Sequence, residues 1–494
     1  MSDRVRVRFA PSPTGLLHIG GLRTALFNYA FAKNKQGTFL LRLEDTDKAR
    51  FVPESVENIL TTLEAYGLIC DEGPQFDEKG ALAEKGEHGP YIQSHRLNLY
   101  KKHVDELIAT GAAYYCFCSS ERLERLREDQ MRRKEAPRYD RLCRTLSKDD
   151  IAQKLEQAEQ YVIRLAVPEE GSTSFIDSIR EEVTIQNNTI DDQVLLKSDG
   201  YPTYHLANVI DDHLMEITHV FRAEEWLPST PKHLILFNAF GWKPPQYGHL
   251  PMIMGPDRSK LSKRHGAEPA SSYIKNGYLP EAVINYIALL GWNPGGDKEF
   301  FTLEEMIREF SIERVNNAPA IFDAEKLRWM NGVHMRKASI ESLEESSRRF
   351  FPADWQGNEK MSQRKKVLAA IRDRMFTFDE INAWGSFAFA FDTEYVAEIL
   401  LPKKMMLDAV LAVLNNLHNY LSTLDTKEFE RVSIKEKVMT HVTTTSYSTA
   451  QALWPLRVAL SGKKVSPDVF DIMEIIGKDE VLRRIGLAQT KLAA

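Results

Sequence analysis

The sequence predicts an α/β protein, with a parallel-sheet core split by an α+β insertion and followed by an all-α C-terminal half. Three observations lead there. The first 45 residues read strand, loop, helix, strand. The middle of the chain loses that rhythm. Beyond about residue 270 the apolar positions recur almost only at helical spacing.

Arg4-Val5-Arg6-Val7-Arg8-Phe9 alternates with period two, as a strand does. Pro11-Ser12-Pro13-Thr14-Gly15 must then be a loop, because proline and glycine keep it out of regular structure. From about Gly20, Leu22, Ala25, Leu26, Tyr29 and Ala30 recur at helical spacing, Gly37 ends the helix, and Thr38 to Leu43 reads as a second strand. Such a βαβ unit has a right-handed crossover and a parallel sheet. It binds nucleotides at the carboxyl ends of its strands, beside the helix N-terminus. Residues 99–206 carry a basic stretch expected to be helical from Arg122 to Arg144, a strand-like Tyr161 to Leu165, and a mixed segment up to Val194. This reads as an insertion, because nucleotide-fold signals resume with Pro231-Lys232-His233-Leu234. The predicted segments are 1–98 and 207–268 for the two halves of the core, 99–206 for the insertion, then 269–338, 339–395 and 396–494.

Composition narrows the function classes. A length of 494 residues suggests three or four domains, and 43% apolar residues exclude a largely disordered chain. No run approaches the roughly 18 apolar residues of a membrane span. MSDRVRVRFA places charge where a signal peptide is apolar, so a cytoplasmic location is expected, and four cysteines suit a reducing compartment. With 64 Lys+Arg against 70 Asp+Glu, the net charge of −6 does not by itself mark a nucleic-acid binder, although it averages over domains.

Two short motifs carry chemistry. His18-Ile19-Gly20-Gly21 lies where phosphates would meet backbone N–H groups and the positive end of a helix. Lys260-Leu261-Ser262-Lys263-Arg264, after a Gly255-Pro256-Asp257 turn, is a cationic loop able to close over a triphosphate. Taken singly, each has a bland reading, as a glycine-softened helix start and a solvated basic turn.

Taken together they are far more specific. Ser-Pro-Thr-Gly-x-x-His-x-Gly opening a βαβ unit, with Lys-x-Ser-Lys about 240 residues later, resembles a class I aminoacyl-tRNA synthetase. Arg8-Phe9-Ala10-Pro11-Ser12-Pro13-Thr14-Gly15, Arg42-Leu43-Glu44-Asp45-Thr46-Asp47, the run Asp199 to Asn208, Arg222-Ala223-Glu224-Glu225-Trp226-Leu227 and the run Phe322 to Asn331 are similar to bacterial-type glutamyl-tRNA synthetases. The resemblance runs through essentially the whole chain and is strongest over 1–335. It implies a Rossmann-type catalytic core, an acceptor-stem-binding insertion, a stem-contact segment at 269–338, and two helical anticodon-binding segments at 339–395 and 396–494.

The implied reaction joins L-glutamate to tRNA(Glu) through glutamyl-adenylate, with ATP and Mg²⁺, in a monomer with no membrane partner. By the family pattern His18, Lys260 and Lys263 are catalytic, and Pro13, Thr14, Gly20, Gly21, Ser262 and Arg264 join them around ATP. Two positions depart from the class signature, which has a second histidine at Gly21 and a serine at Arg264. Arg8, Ala10, Ser12, Glu44, Tyr204, Asn208 and Arg222 match the glutamate pocket. Arg8 with Tyr204 would take the side-chain carboxylate, Glu44 the ammonium, and Arg222 the second carboxylate. Arg132, Arg133, Glu225, Trp226, Lys326, Arg328, Trp329, Arg372, Arg374 and Arg457 are candidate tRNA contacts, with solvated helix faces as the alternative.

Cys116-x-Cys118 and, after 24 intervening residues, Cys143 supply three of zinc's four usual ligands. Some relatives bind zinc here with a histidine at the position of Thr145, and Tyr139 matches a tyrosine used in a related subfamily. Zinc and a degenerate cluster of three reduced cysteines both remain open. Two other readings stand beside the ligase: a form that also charges tRNA(Gln), and a non-catalytic tRNA-binding paralog. Intact His18, Glu44, Arg222 and Lys263 speak against the paralog.

Overall fold

A computed structural model describes residues 4–262, 264, 268–403 and 405–493; Lys263 of the cationic loop lies outside the described residues. The chain divides into two compact units, Met1–Ser272 with Ile284–Asp323, and Tyr273–Val283 with Ala324–Ala494.

The first unit is built on a six-stranded sheet. Its strands are β1 (Arg6–Phe9), β2 (Thr38–Leu41), β3 (Ser172–Asp177), β4 (Glu181–Gln186), β5 (His219–Ala223) and β6 (Gln246–Leu250). They lie in the order β2-β1-β5-β6-β3-β4, parallel throughout except for the β3–β4 hairpin at the edge. Helix α1 (Ile19–Asn34) connects β1 to β2, which completes the expected βαβ unit. Helix α2 (Tyr204–Leu214) leads into β5 and packs Leu206, Val209 and Ile210 into a core with Tyr100, Val104 and Leu236.

Helices cover the sheet, so all four residues of β1 and of β2 are buried. Arg6, whose alternation with valine fits an exposed strand face, is instead inside and pairs with Glu72 at 2.7 Å. Strands β3 and β4 come from within 99–206, and their half-exposed polar alternation made them inconspicuous in the sequence. That segment also forms a separate antiparallel sheet of Ala113–Cys116, Val162–Leu165 and Val194–Leu196.

The basic helix is shorter than expected. It runs Ser120–Arg132, not to Arg144, because Lys134 takes a positive φ of 59° and Pro137 follows. The second unit is helical, and among the described residues no strand follows Ala320–Ile321. Its core gathers Val410, Leu414 and Leu417 of helix Leu407–Thr423 against Leu456, Ile472, Val481 and Ile485. Among the described residues no helix is long and apolar enough to cross a membrane.

Candidate active site

The loop after β1 delivers His18 to the start of α1, where it caps the helix. Its Nδ1 accepts the Gly21 N–H at 3.1 Å. A neutral imidazole accepting at Nδ1 carries its proton on Nε2, so the exposed ring offers a donor outward. The two glycines are tight positions. A Cβ on Gly20 would stand 3.0 Å from His18 Nδ1, and one on Gly21 would stand 2.7 Å from Leu17 Cδ1. A side chain at 21 would require the end of the Leu17 side chain to shift. Pro13 is buried under this loop and its carbonyl accepts from Val52 N–H at 2.9 Å, while Thr14 is exposed.

In the cationic loop, Gly255 N–H donates to the Ser259 carbonyl at 2.8 Å, closing a turn. Lys260 donates to Glu225 at 2.6 Å, with both side chains largely exposed. Arg264 donates to Ser259 Oγ at 3.0 Å, and Ser262 is exposed. Glu225, a candidate tRNA contact, is thus the carboxylate partner of Lys260. The ring of its neighbour Trp226 lies 4.3 Å from that of Tyr204.

The residues expected to line a glutamate pocket converge from four elements at the carboxyl ends of β1, β2 and β5. Arg8 sits on β1, Glu44 just beyond β2, Tyr204 and Asn208 on α2, and Arg222 on β5. Ala10 and Ser12 lie on the loop after β1, which is tied down by Glu44 N–H donating to the Pro11 carbonyl at 3.1 Å. Arg8, Glu44, Asn208 and Arg222 are all buried.

Their partners were not all foreseen. Arg8 grips Asp212 through Nε at 3.1 Å and Nη2 at 3.3 Å. Arg42 donates Nη1 to the same carboxylate at 2.7 Å and Nη2 to Glu44 at 3.0 Å. The Asn208 side-chain oxygen, with its amide turned to satisfy both neighbours, accepts from Arg42 at 3.0 Å and from Arg8 at 3.2 Å. Asp211, beside Asp212, takes Arg96 Nε at 2.7 Å, Gln93 at 2.8 Å and Tyr100 at 2.9 Å. Sequence reading missed Arg42, Asp211 and Asp212 as site residues. The available signal was two adjacent carboxylates in the apolar run Leu206 to Leu214, together with an arginine ending an apolar strand.

Burial alone would raise the Asp212 carboxyl, but Arg8 and Arg42 outweigh it and hold that group below the usual aspartate range. At Glu44 burial wins, pushing the carboxyl up despite Arg42 and Arg8. Arg222 differs from both arginines of that network. Among the described residues its hydrogen bonds go only to neutral groups, including Tyr204 OH and Thr230 Oγ1, both at 2.8 Å.

Residues 4–329 match the family described as tRNA synthetases class I (E and Q), catalytic domain, and residues 338–489 match the anticodon binding domain. A glutamate–tRNA ligase of Dehalococcoides mccartyi strain CBDB1 is 45% identical over all of this chain and 99% of its own. One from Clostridium botulinum strain Hall is 44% identical across the full length of both. The chain belongs to the glutamate–tRNA ligases. A solved glutamate tRNA ligase of Elizabethkingia meningosepticum, in complex with its amino acid, superposes with a TM-score of 0.87. That match is 36% identical and covers 99% of this chain and all of that one. A second solved synthetase, from Elizabethkingia anophelis, gives 0.84 at the same identity over 99% of this chain and all of its own.

Within this ligase, the insertion brings Cys116, Cys118 and Cys143 together, their sulfurs all within 4.8 Å of one another. The Tyr139 hydroxyl lies 3.4 Å from both Cys116 and Cys118. Cys116 and Cys143 share a hydrogen bond that lowers the Cys116 thiol and raises that of Cys143.

The basic residues fall into two groups. Arg132 and Arg133 are exposed, paired with Asp129 and Glu135. Arg141 and Arg144 instead brace the buried Asp192, at 3.2 and 3.4 Å. In the helical unit, Arg328 pairs with Glu380 and lies over the Phe376 ring, in the same helix as Lys326 and the half-exposed Trp329. Arg372 lies 3.8 Å from Asp373. Arg374 covers Trp384 and Arg457 covers Trp454. Burial first, and then the charge of Arg374, lower the Arg457 pKa, so these two candidates are neighbours.

Proposed function

We propose that this ligase charges tRNA(Glu) in two steps, with the buried arginine cluster choosing the amino acid. A carboxylate oxygen of glutamate attacks the α-phosphorus of ATP and pyrophosphate leaves. A ribose hydroxyl of the terminal adenosine then attacks the activated carbonyl carbon, AMP leaves, and the hydroxyl proton goes to solvent. Neither step needs a covalent nucleophile from the protein, so positioning and charge neutralisation carry the catalysis. His18 Nε2–H, Lys260 and Lys263 would meet the phosphates, with Pro13, Thr14, Gly20, Gly21, Ser262 and Arg264 shaping the ATP site. Mg²⁺ would arrive with ATP, held mainly by phosphate and water.

One observation carries the amino-acid assignment. In a buried cluster, Arg8, Arg42 and Arg96 pair with the carboxylates of Glu44, Asp211 and Asp212, and a fourth guanidinium, Arg222, hydrogen-bonds only to neutral groups among the described residues. The surplus is one positive charge, which a glutamate, with two carboxylates and one ammonium, balances. Glutamine is neutral and leaves the surplus unpaired in the interior, which is costly. Arg8 Nη1, with no hydrogen-bond partner among the described residues, and Tyr204 OH suit the side-chain carboxylate. Arg222 suits the other carboxylate, and Glu44 suits the ammonium.

Replacing Arg222 with Gln tests this. The KM for glutamate should rise roughly 30-fold or more in tRNA-dependent pyrophosphate exchange, while the KM for ATP moves little. Equal rises in both would remove Arg222 from the amino-acid pocket. Separate glutamate and glutamine tRNA transcripts decide whether tRNA(Gln) is also a substrate.

The cysteine cluster fits a zinc ion, since soft thiolates and a phenolic oxygen within a few ångströms match its tetrahedral preference. Cys116, Cys118, Cys143 and Tyr139 would hold it, fastening the turn Leu142–Thr145 to the strand Ala113–Cys116. The remaining segments divide the tRNA between acceptor stem and anticodon as the family pattern implies, in a cytoplasmic monomer.

A further inference from the structure

The parallel register places Arg222 on β5 opposite His249 on β6. A guanidinium has only donors, so each imidazole nitrogen it meets must be an unprotonated acceptor. Arg222 Nε donates to His249 Nε2 at 3.1 Å. The His249 proton therefore sits on Nδ1, which faces Asp177 Oδ2 at 2.5 Å. Arg222 Nη1 reaches His233 Nδ1 at 3.3 Å. That puts the His233 proton on Nε2, facing His205 Nδ1 at 3.1 Å. The other N–H groups go to Tyr204 OH, Thr230 Oγ1 and the Trp226 carbonyl. All five neighbours are neutral, and the Asp177 carboxylate is kept one imidazole away.

His233 and His249 are both fully buried. Burial and the Arg222 charge drive His233 well below the usual histidine range. Burial also lowers His249, although Asp177 pulls the other way. The two rings thus stay neutral while aiming the guanidinium.

We propose that His233 and His249 are specificity-determining positioning residues: as neutral acceptors they orient Arg222 while leaving its charge for the amino-acid substrate. This rests on the reading of Arg222 as a substrate carboxylate partner. An anionic acceptor in either place would neutralise Arg222 from within and erase the surplus charge that favours an anionic amino acid.

His233→Asn and His233→Asp make the decisive pair, because both put an oxygen near the position of Nδ1 and differ only in charge. In tRNA-dependent pyrophosphate exchange with the full-length chain, His233→Asp should raise the glutamate KM roughly 30-fold or more, with the ATP KM within about threefold. His233→Asn should recover most of that loss, and His233→Ala should fall between them. Asp177→Asn, which releases the His249 tautomer, is a second variant should His233→Asp fail to fold; it too should raise the glutamate KM selectively. Asp and Asn variants with equal glutamate KM values would overturn the inference, as would parallel rises for glutamate and ATP. Arg222→Gln separates the levels. If it raises the glutamate KM while His233→Asp does not, only this inference falls. If it leaves that KM unchanged, the reading of Arg222 itself falls.

Discussion

Replacing Asp212 with Asn tests the buried network most directly. Its carboxylate accepts from Arg8 Nε at 3.1 Å, Arg8 Nη2 at 3.3 Å and Arg42 Nη1 at 2.7 Å, and all three side chains are essentially inaccessible. Removing one partner from a buried ion pair costs about 3–5 kcal/mol, because a guanidinium is left uncompensated. The Asn oxygen still accepts from one arginine, which offsets about 1 kcal/mol. Arg42 also keeps Glu44 and Asn208. The expected net loss is about 2–4 kcal/mol, seen as a drop of roughly 4–8 °C in the thermal unfolding of the nucleotide-binding unit. The sign with pH follows from the lowered Asp212 pKa. Its contribution is complete above the ordinary aspartate range and is lost as pH falls through the lower folded value. The gap between wild type and variant should therefore hold steady from about pH 8 to about pH 5 and close only in stronger acid. Near-UV circular dichroism melts across that range read it. A gap below about 1 kcal/mol, or one that persists unchanged in acid, would refute the argument.

Other predictions concern the lysine loop, Glu44 and the cysteine cluster. Lys263→Ala should abolish pyrophosphate exchange while leaving tRNA binding nearly intact; undiminished exchange would remove the lysine from the phosphate site. Burial holds the Glu44 carboxyl above its usual range, so it takes up a proton at higher pH than an ordinary glutamate. Its protonated form favours the fold, and its ionised form favours the substrate ammonium. The glutamate KM should accordingly begin to rise at a higher pH than the ordinary glutamate range as the solution is acidified, and Glu44→Gln should flatten that profile. Metal analysis of purified protein should find about one zinc per chain, reduced by Cys118→Ser; a stoichiometry near zero in the unmutated chain would discard the zinc site.

How much of this was legible varied with the kind of contact. The βαβ unit could be read because its period-two and helical patterns are local, and His18 could be placed because Gly20 and Gly21 sit beside it in the chain. Strands β3 and β4 could not be isolated from their segment, because an edge hairpin half in water has polar alternation like any loop-rich stretch. The basic run from Arg122 to Arg144 reads as a single helical stretch. In the fold the helix ends at Arg132, and Arg141 and Arg144 turn inward to Asp192. A charged residue's sequence does not state which carboxylate it will find.

The sequence by itself determined the family and the α/β fold class with its opening βαβ unit, and it nominated residues whose types suit ATP and glutamate, because those depend on local spacing and recognisable motifs. Tertiary structure alone decided how the charges are spent. Asp212 lies some 200 residues from Arg8, yet it takes up that arginine's fork, while Arg222 is left among neutral histidines and hydroxyls. The net charge of −6 says nothing of this. The selectivity proposed for an anionic amino acid rests on a local surplus of one positive charge in a buried cluster, and such a surplus exists only once distant strands have brought their side chains together.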